Sequence, residues 1–176
     1  MKKERIKYRM YGFVPYNISD IQKGIQFGHA VVEYAFQYSG TKEFKEFARE
    51  DKTFIILNGG TTNNNEPSGM SNIAEELSQL PAKFKFAVFN EPDLNDALSG
   101  IAFLVDSRVW DRETYPCPVD DISGFHGVPY ADRERWLKNQ VIDQRDPVGE
   151  YKNWVKSVGG ETNAFLRYFL SQFKLA

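Results

Sequence analysis

Residues 17–38, NISDIQKGIQFGHAVVEYAFQY, constrain the fold most, because here a long capped helix stands between two strand-like runs. Ser19 followed three residues later by Gln22 has the form of a capping box, in which both side chains satisfy amides that the helix start leaves unpaired. The pattern predicts a helix beginning close to Asp20. Before it, RIKYRMYGFV (5–14) mixes β-branched and aromatic residues and stops at Pro15, which reads as a strand. Ile21, Ile25, Gly28, Val32 and Ala35 follow one another at helical spacing and are expected to form the inner face against a sheet. Gly24 and Gly28 each cost a helix about 1 kcal/mol relative to Ala, so they read as points where backbone or ligand comes close.

The rest of the chain extends this alternation. KTFIILNGG reads as a buried strand closed by a glycine pair, and SNIAEELSQL as a helix capped at Ser71. Phe84, Phe86 and Val88 alternate in a third strand, LSGIAFLVD forms a fourth, and the short EPDLNDA connection between them predicts an antiparallel pair. The expected class is α/β: a mixed four-stranded sheet flanked by helices, spanning 1–108. From Trp110 onward Pro116, Pro118, Pro129 and Pro147 punctuate polar sequence, followed by helices near 149–157 and 161–173. Residues 109–176 therefore read as a loop-rich, helical C-terminal extension packed on the core, with Trp136, Trp154, Phe165 and Phe169 buried.

Charge and composition narrow the function classes. A net charge of -2 provides no overall field for a polyanion, so a nucleic acid would need a local basic patch. Cys117 is the only cysteine and no run approaches membrane-spanning length, which points to a reducing cytoplasm and no membrane partner.

Gln22, Gln26, His29 and Glu33 fall on one face of the predicted helix, at intervals of one turn. A solvated surface is the ordinary meaning of such a stripe. Two amides and an imidazole are nevertheless unlike the Glu and Lys of a solubilising face. The segment IQKGIQFGHAVVEYA resembles the first-helix signature of the type II (archaeal and eukaryotic) peptidyl-tRNA hydrolases, with Gln26, His29 and Ala30 at the matching positions. DKTFIILN is similar to that family's second strand and KFKFAVFNEPDLNDALSGIAFLV to its last two, so the resemblance covers roughly 5–106. It also extends to divergent phage-encoded proteins of this type.

The resemblance implies a compact fold with a mixed four-stranded sheet and hydrolysis of the ester between a peptide and a tRNA 3′ end, with no metal or redox cofactor. Such chemistry needs an oriented water, a proton acceptor and donors for the oxyanion. Carried over by position, Gln26 orients water or substrate and His29 supports it. Lys23 stands one position later than the family's lysine, where this chain has Gln22. In place of the family's Asp-x-Gly-x-Thr motif the chain has NEPDLND, in which Glu91, Asp93 and Asn95 offer carboxylates and an amide.

NGGTTNNN (58–65) lies between a strand and a helix, where Gly59, Gly60, Thr61, Thr62 and Asn63 form either a plain connection or a rim that aims amides at phosphate. It carries neither of the familiar nucleotide fingerprints. Arg108 and Arg112 stand among Asp106, Asp111 and Glu113 and read as structural ion pairs. His126 lacks metal-ligand spacing to His29, and Cys117 has no catalytic partner, so neither a metal site nor a cysteine nucleophile is expected. Two functions follow: an acyl-ester hydrolase acting on a nucleotide-linked substrate, or a non-catalytic protein on the same scaffold that holds a small nucleotide or a partner, with a homo-oligomer possible in either case.

Overall fold

The computed structural model describes residues 5–62, 69–140 and 145–176. Their contacts divide the chain into two compact units, Met1–Ser107 with Gln172–Ala176, and Arg108–Ser171. In the first unit the order is β1 (Tyr8–Val14), α1 (Asp20–Tyr38), α2 (Lys42–Glu46), β2 (Thr53–Asn58), α3 (Gly69–Ser78), β3 (Phe86–Glu91) and β4 (Ala97–Asp106). The strands form a mixed four-stranded sheet in the order β2-β1-β4-β3. β1 and β2 are parallel, as a helical crossover requires. β4 is antiparallel to both β1 and β3, so the short turn before it makes the antiparallel pair that its length predicts.

Helix α1 starts at Asp20 with Ser19 as its cap and the complete Ser19–Gln22 capping box. Its inner face, however, is not the expected one. Gln26, Phe27, Ala30 and Tyr34 are buried, whereas Ile21, Ile25 and Val32 point to solvent. The helix is apolar on two opposite sides, and periodicity locates stripes without saying which one meets the sheet. Gly24 and Gly28 are not contact points either, since a Cβ at either would meet nothing within 4 Å.

The close approach comes from the sheet. A Cβ on Gly100 would lie 2.6 Å from the Gln26 carbonyl oxygen and 3.0 Å from Ala30 Cβ, and one on Gly12 would strike the Phe27 ring. Gly12 pairs with Ala102, and Ala102 with Ala87, so small residues carpet this face and let α1 lie directly on the strands. Strand side chains alternate, and the opposite face carries the bulk. There Tyr11, Phe13, Phe84 and Phe86 surround Phe103, and Phe173 packs edge-on against Phe13 at 4.7 Å. α3 covers the same face through Met70, whose sulfur lies where a Gly59 side chain would be.

Two further expectations change. β2 is an edge strand in which only Leu57 is buried, not a strand buried on both faces. Its outer edge is met by residues 174–176, with the Asn58 amide donating to Lys174 O (2.9 Å) and the Ala176 amide to Ile56 O (3.0 Å). Ser71 lies inside α3, which is already helical at Gly69.

The second unit holds α4 (Ser107–Trp110, straddling the boundary), α5 (Arg133–Lys138), α6 (Pro147–Ser157) and α7 (Glu161–Ser171). Its core gathers Phe125, Leu137, Trp154, Val158 and Tyr168. Arg167, buried, donates from Nε to Val109 O and from its terminal nitrogens to the carbonyls of Arg108, Asp111 and Tyr115. One guanidinium thus satisfies carbonyls that α4 leaves unpaired at its end and others in the segment that follows it. Burial pushes the Cys117 thiol up to about 11, so this cysteine is an inert core residue accepting from Tyr168. No described helix is long and apolar enough to cross a membrane.

Candidate functional site

β1 and β2 run parallel and end at Val14 and Asn58, β3 ends at Glu91, and β4 starts at Ala97 opposite it, so all four termini lie at one end of the sheet. Most of the sequence-predicted site residues gather here, in two separate places.

The first lies where α1 crosses β3 and β4. Gln26 is 7% exposed, and its Nε2 donates to Glu91 Oε2 at 2.6 Å. Its Oε1 accepts from the hydroxyl of Ser99 at 2.7 Å. Ser99 is 1% exposed and owes its direction to an irregularity: Phe89 pairs with Gly100 but Asn90 with Leu98, which leaves Ser99 as the extra residue of a bulge. A bulge re-aims a side chain, and this one turns Ser99 towards the helix. His29 is exposed on the next turn of α1, its ring edge-on to Phe89 at 4.4 Å. Both ends of the Gln26 amide are therefore used to join helix and sheet, and the half-buried Glu91 is held by its partner.

Other members of the predicted set are occupied elsewhere. The Gln22 side chain accepts from the Ser19 amide at 3.0 Å and is a capping group. Lys23 pairs with Asp20 at 3.1 Å on its own helix. Asp93 and Asn95 are exposed in the turn after β3, where Asn95 and Asp96 take left-handed backbone angles of φ 54° and 57°. The sequence resemblance gave no hint of Ser99. The signal that could have found it is the glycine inside a strand pattern, Gly100, since such glycines mark bulges or close backbone approach.

The second place is a cavity of about 460 Å³ where β2 passes into its glycine pair and α3 begins. Gly59 and Gly60 form one wall, Gly69, Asn72 and Glu76 on α3 another, and residues 172–174 the third. The glycines serve close apposition: a Cβ on Gly69 would lie 2.5 Å from the Gly59 oxygen, and Gly60 has φ +84°, which suits glycine alone. Their amides do not aim into the cavity as a phosphate cradle would. The Gly59 amide donates to Val14 O at 2.8 Å and the Gly60 amide to the Asn58 side chain at 2.9 Å. Thr62 donates to Leu98 O at 2.6 Å and the Met70 amide to Thr61 O at 3.3 Å, so both threonines anchor the loop. Asn63 lies outside the described residues.

The polar residues of its lining are Asn58, Asn72, Glu76, Gln172 and Lys174. These residues are scattered through the sequence, and no local motif announces them. Among the described residues no three His, Cys, Asp or Glu side chains gather as a metal site. Comparisons with protein-family models, curated proteins and solved structures each yield no match to this chain.

Proposed function

We propose that the chain is a binding protein for a small polar ligand, held in the cavity between the Gly59–Gly60 turn, α3 and residues 172–174. The cavity carries this reading. Its volume, about 460 Å³, falls within the range of roughly 300–1,000 Å³ usual for small-molecule sites. It lies at the carboxyl end of the edge strand β2. A mononucleotide suits the lining: Lys174 for phosphate, and Glu76, Asn72 and Gln172 for sugar hydroxyls and the base edge. Amide chemical shifts followed by NMR during titration with mononucleotides test this. Shifts at Gly59, Gly60 and Gly69 support the reading, and an unchanged spectrum removes it.

A second reading rests on the meeting of Gln26, Glu91 and His29 on one flank of α1. As a peptidyl-tRNA hydrolase-like enzyme the chain would use Glu91 to take a proton from water, with His29 on the rim to orient the substrate ester. The closed hydrogen bonds of Gln26 weigh against it, because a water-orienting amide needs a free end. Incubation with peptidyl-tRNA decides the point: release of peptide by wild type, lost in Glu91→Gln and His29→Ala, favours the enzyme, and no release by wild type excludes it.

A further inference from the structure

We infer that residues 172–176 are a strap, which docks on β2 to complete the ligand cavity proposed above and on which that site's regulation rests: ligand binding and strap docking are one coupled equilibrium. The walls of the cavity are held differently. The Gly59–Gly60 turn is tied to Val14 O and to the Asn58 side chain, and α3 is anchored by the fully buried Met70. The remaining wall comes from a segment in which Gln172, Lys174, Leu175 and Ala176 are exposed, Leu175 by 73%. Its apolar anchor is the half-buried Phe173, whose ring stands edge-on to Phe13.

Beyond Phe173 the segment pairs with β2 through an antiparallel bridge that sets Leu175 opposite Leu57. The bridge is flanked by the Asn58 amide donating to Lys174 O at 2.9 Å and the Ala176 amide donating to Ile56 O at 3.0 Å. A short pairing of exposed residues on an edge strand opens at little cost, because few buried contacts break with it. The sheet does not depend on it, since β2 keeps its own parallel register with β1 from Thr53 to Asn58. Undocking therefore removes one wall and leaves the others standing. Asn58 joins them: its amide donates outward to the strap, while its side chain accepts from the Gly60 amide in the turn. A ligand that touches both the turn and residues 172–174 binds the docked form, and it holds the strap down by the same factor that docking adds to its affinity.

Amide hydrogen exchange of the full chain tests the inference, with and without the tightest binder among the common ribonucleoside monophosphates. Without nucleotide, the Asn58 and Ala176 amides should exchange faster than those of the central strand β4. Nucleotide at ten times its Kd should slow both about tenfold. Ala176→Pro removes the donor to Ile56 O at a position outside the cavity lining. It should speed Asn58 exchange and weaken binding about threefold or more, with an unchanged circular dichroism spectrum. A chain carrying Leu57→Cys and Leu175→Cys should bind at least as tightly when oxidised, with the strap locked down, as when reduced. Asn58 exchanging as slowly as β4, nucleotide bound without slowing it, binding indifferent to Ale176→Pro, or binding lost in the oxidised double variant would each overturn the strap and leave the ligand site standing. A wild type that binds none of these nucleotides removes the ligand site and the coupling together.

Discussion

Gln26 and Glu91, 65 residues apart in sequence, are joined by an amide-to-carboxylate hydrogen bond of 2.6 Å at the point where α1 crosses β3. Because Ser99 donates to the other end of the same amide, removing the glutamine leaves the buried hydroxyl only its longer contact to Phe89 O at 3.4 Å. Gln26→Ala should cost about 2–3 kcal/mol in urea unfolding. Gln26→Glu should be worse at neutral pH, where two carboxylates would face each other. Equal stability of wild type and Gln26→Ala would mean that the bond contributes nothing.

The glycines separate into two kinds. Gly28→Ala should be neutral or stabilise by about 0.5–1 kcal/mol, since the Cβ meets open space and alanine favours helix. Gly100→Ala should destabilise by roughly 1–3 kcal/mol, because its Cβ would press on the Gln26 carbonyl and Ala30. Thermal melts of the two variants check the assignment of the helix face directly.

How much of this was legible in the sequence follows from what each feature depends on. The capping box at Ser19 and the antiparallel turn before Ala97 are local, and both could be read from a few residues. The sheet-facing side of α1 could not, because Ile21, Ile25 and Val32 make as good an apolar stripe as Phe27, Ala30 and Tyr34, and only the small residues Gly12, Gly100 and Ala102 on distant strands decide between them. The same holds for the cavity. Gly59 and Gly60 are conspicuous as a loop, but their amides are consumed by Val14 and Asn58, and the polar lining comes from Asn72, Glu76 and Lys174.

Acid should loosen the start of β1. Asp51 accepts from the Tyr8 amide at 2.7 Å and is gripped by Arg5. Burial pushes its carboxyl up, but the Arg5 and Tyr8 hydrogen bonds and the Arg5 charge outweigh this and leave it below its ordinary value. A lowered folded value means that the stabilisation is complete above the unfolded carboxylate range, near pH 4, and is lost as the pH falls through the folded value. Asp51→Asn should therefore be less stable than wild type at neutral pH and converge with it in acid, as measured by urea unfolding across that window.

In the second unit, Arg167→Met should be severely destabilising, by about 3 kcal/mol or more, since it strips the partners from several carbonyls at once. Arg167→Lys should not rescue it, because a single ammonium cannot span the forked set of acceptors. Protease resistance of Arg108–Ser171 in the variants is the readout, and a lysine variant as resistant as wild type would contradict the role assigned to the guanidinium.

The most direct test of the binding account is calorimetric titration of the full chain with a panel of mononucleotides, comparing wild type with Lys174→Ala, Asn72→Trp and His29→Ala. The cavity account predicts binding that weakens about tenfold in Lys174→Ala, is abolished when the Asn72→Trp ring fills the space, and is unchanged in His29→Ala. Absence of binding by wild type across the panel, or binding indifferent to both cavity variants, would contradict it.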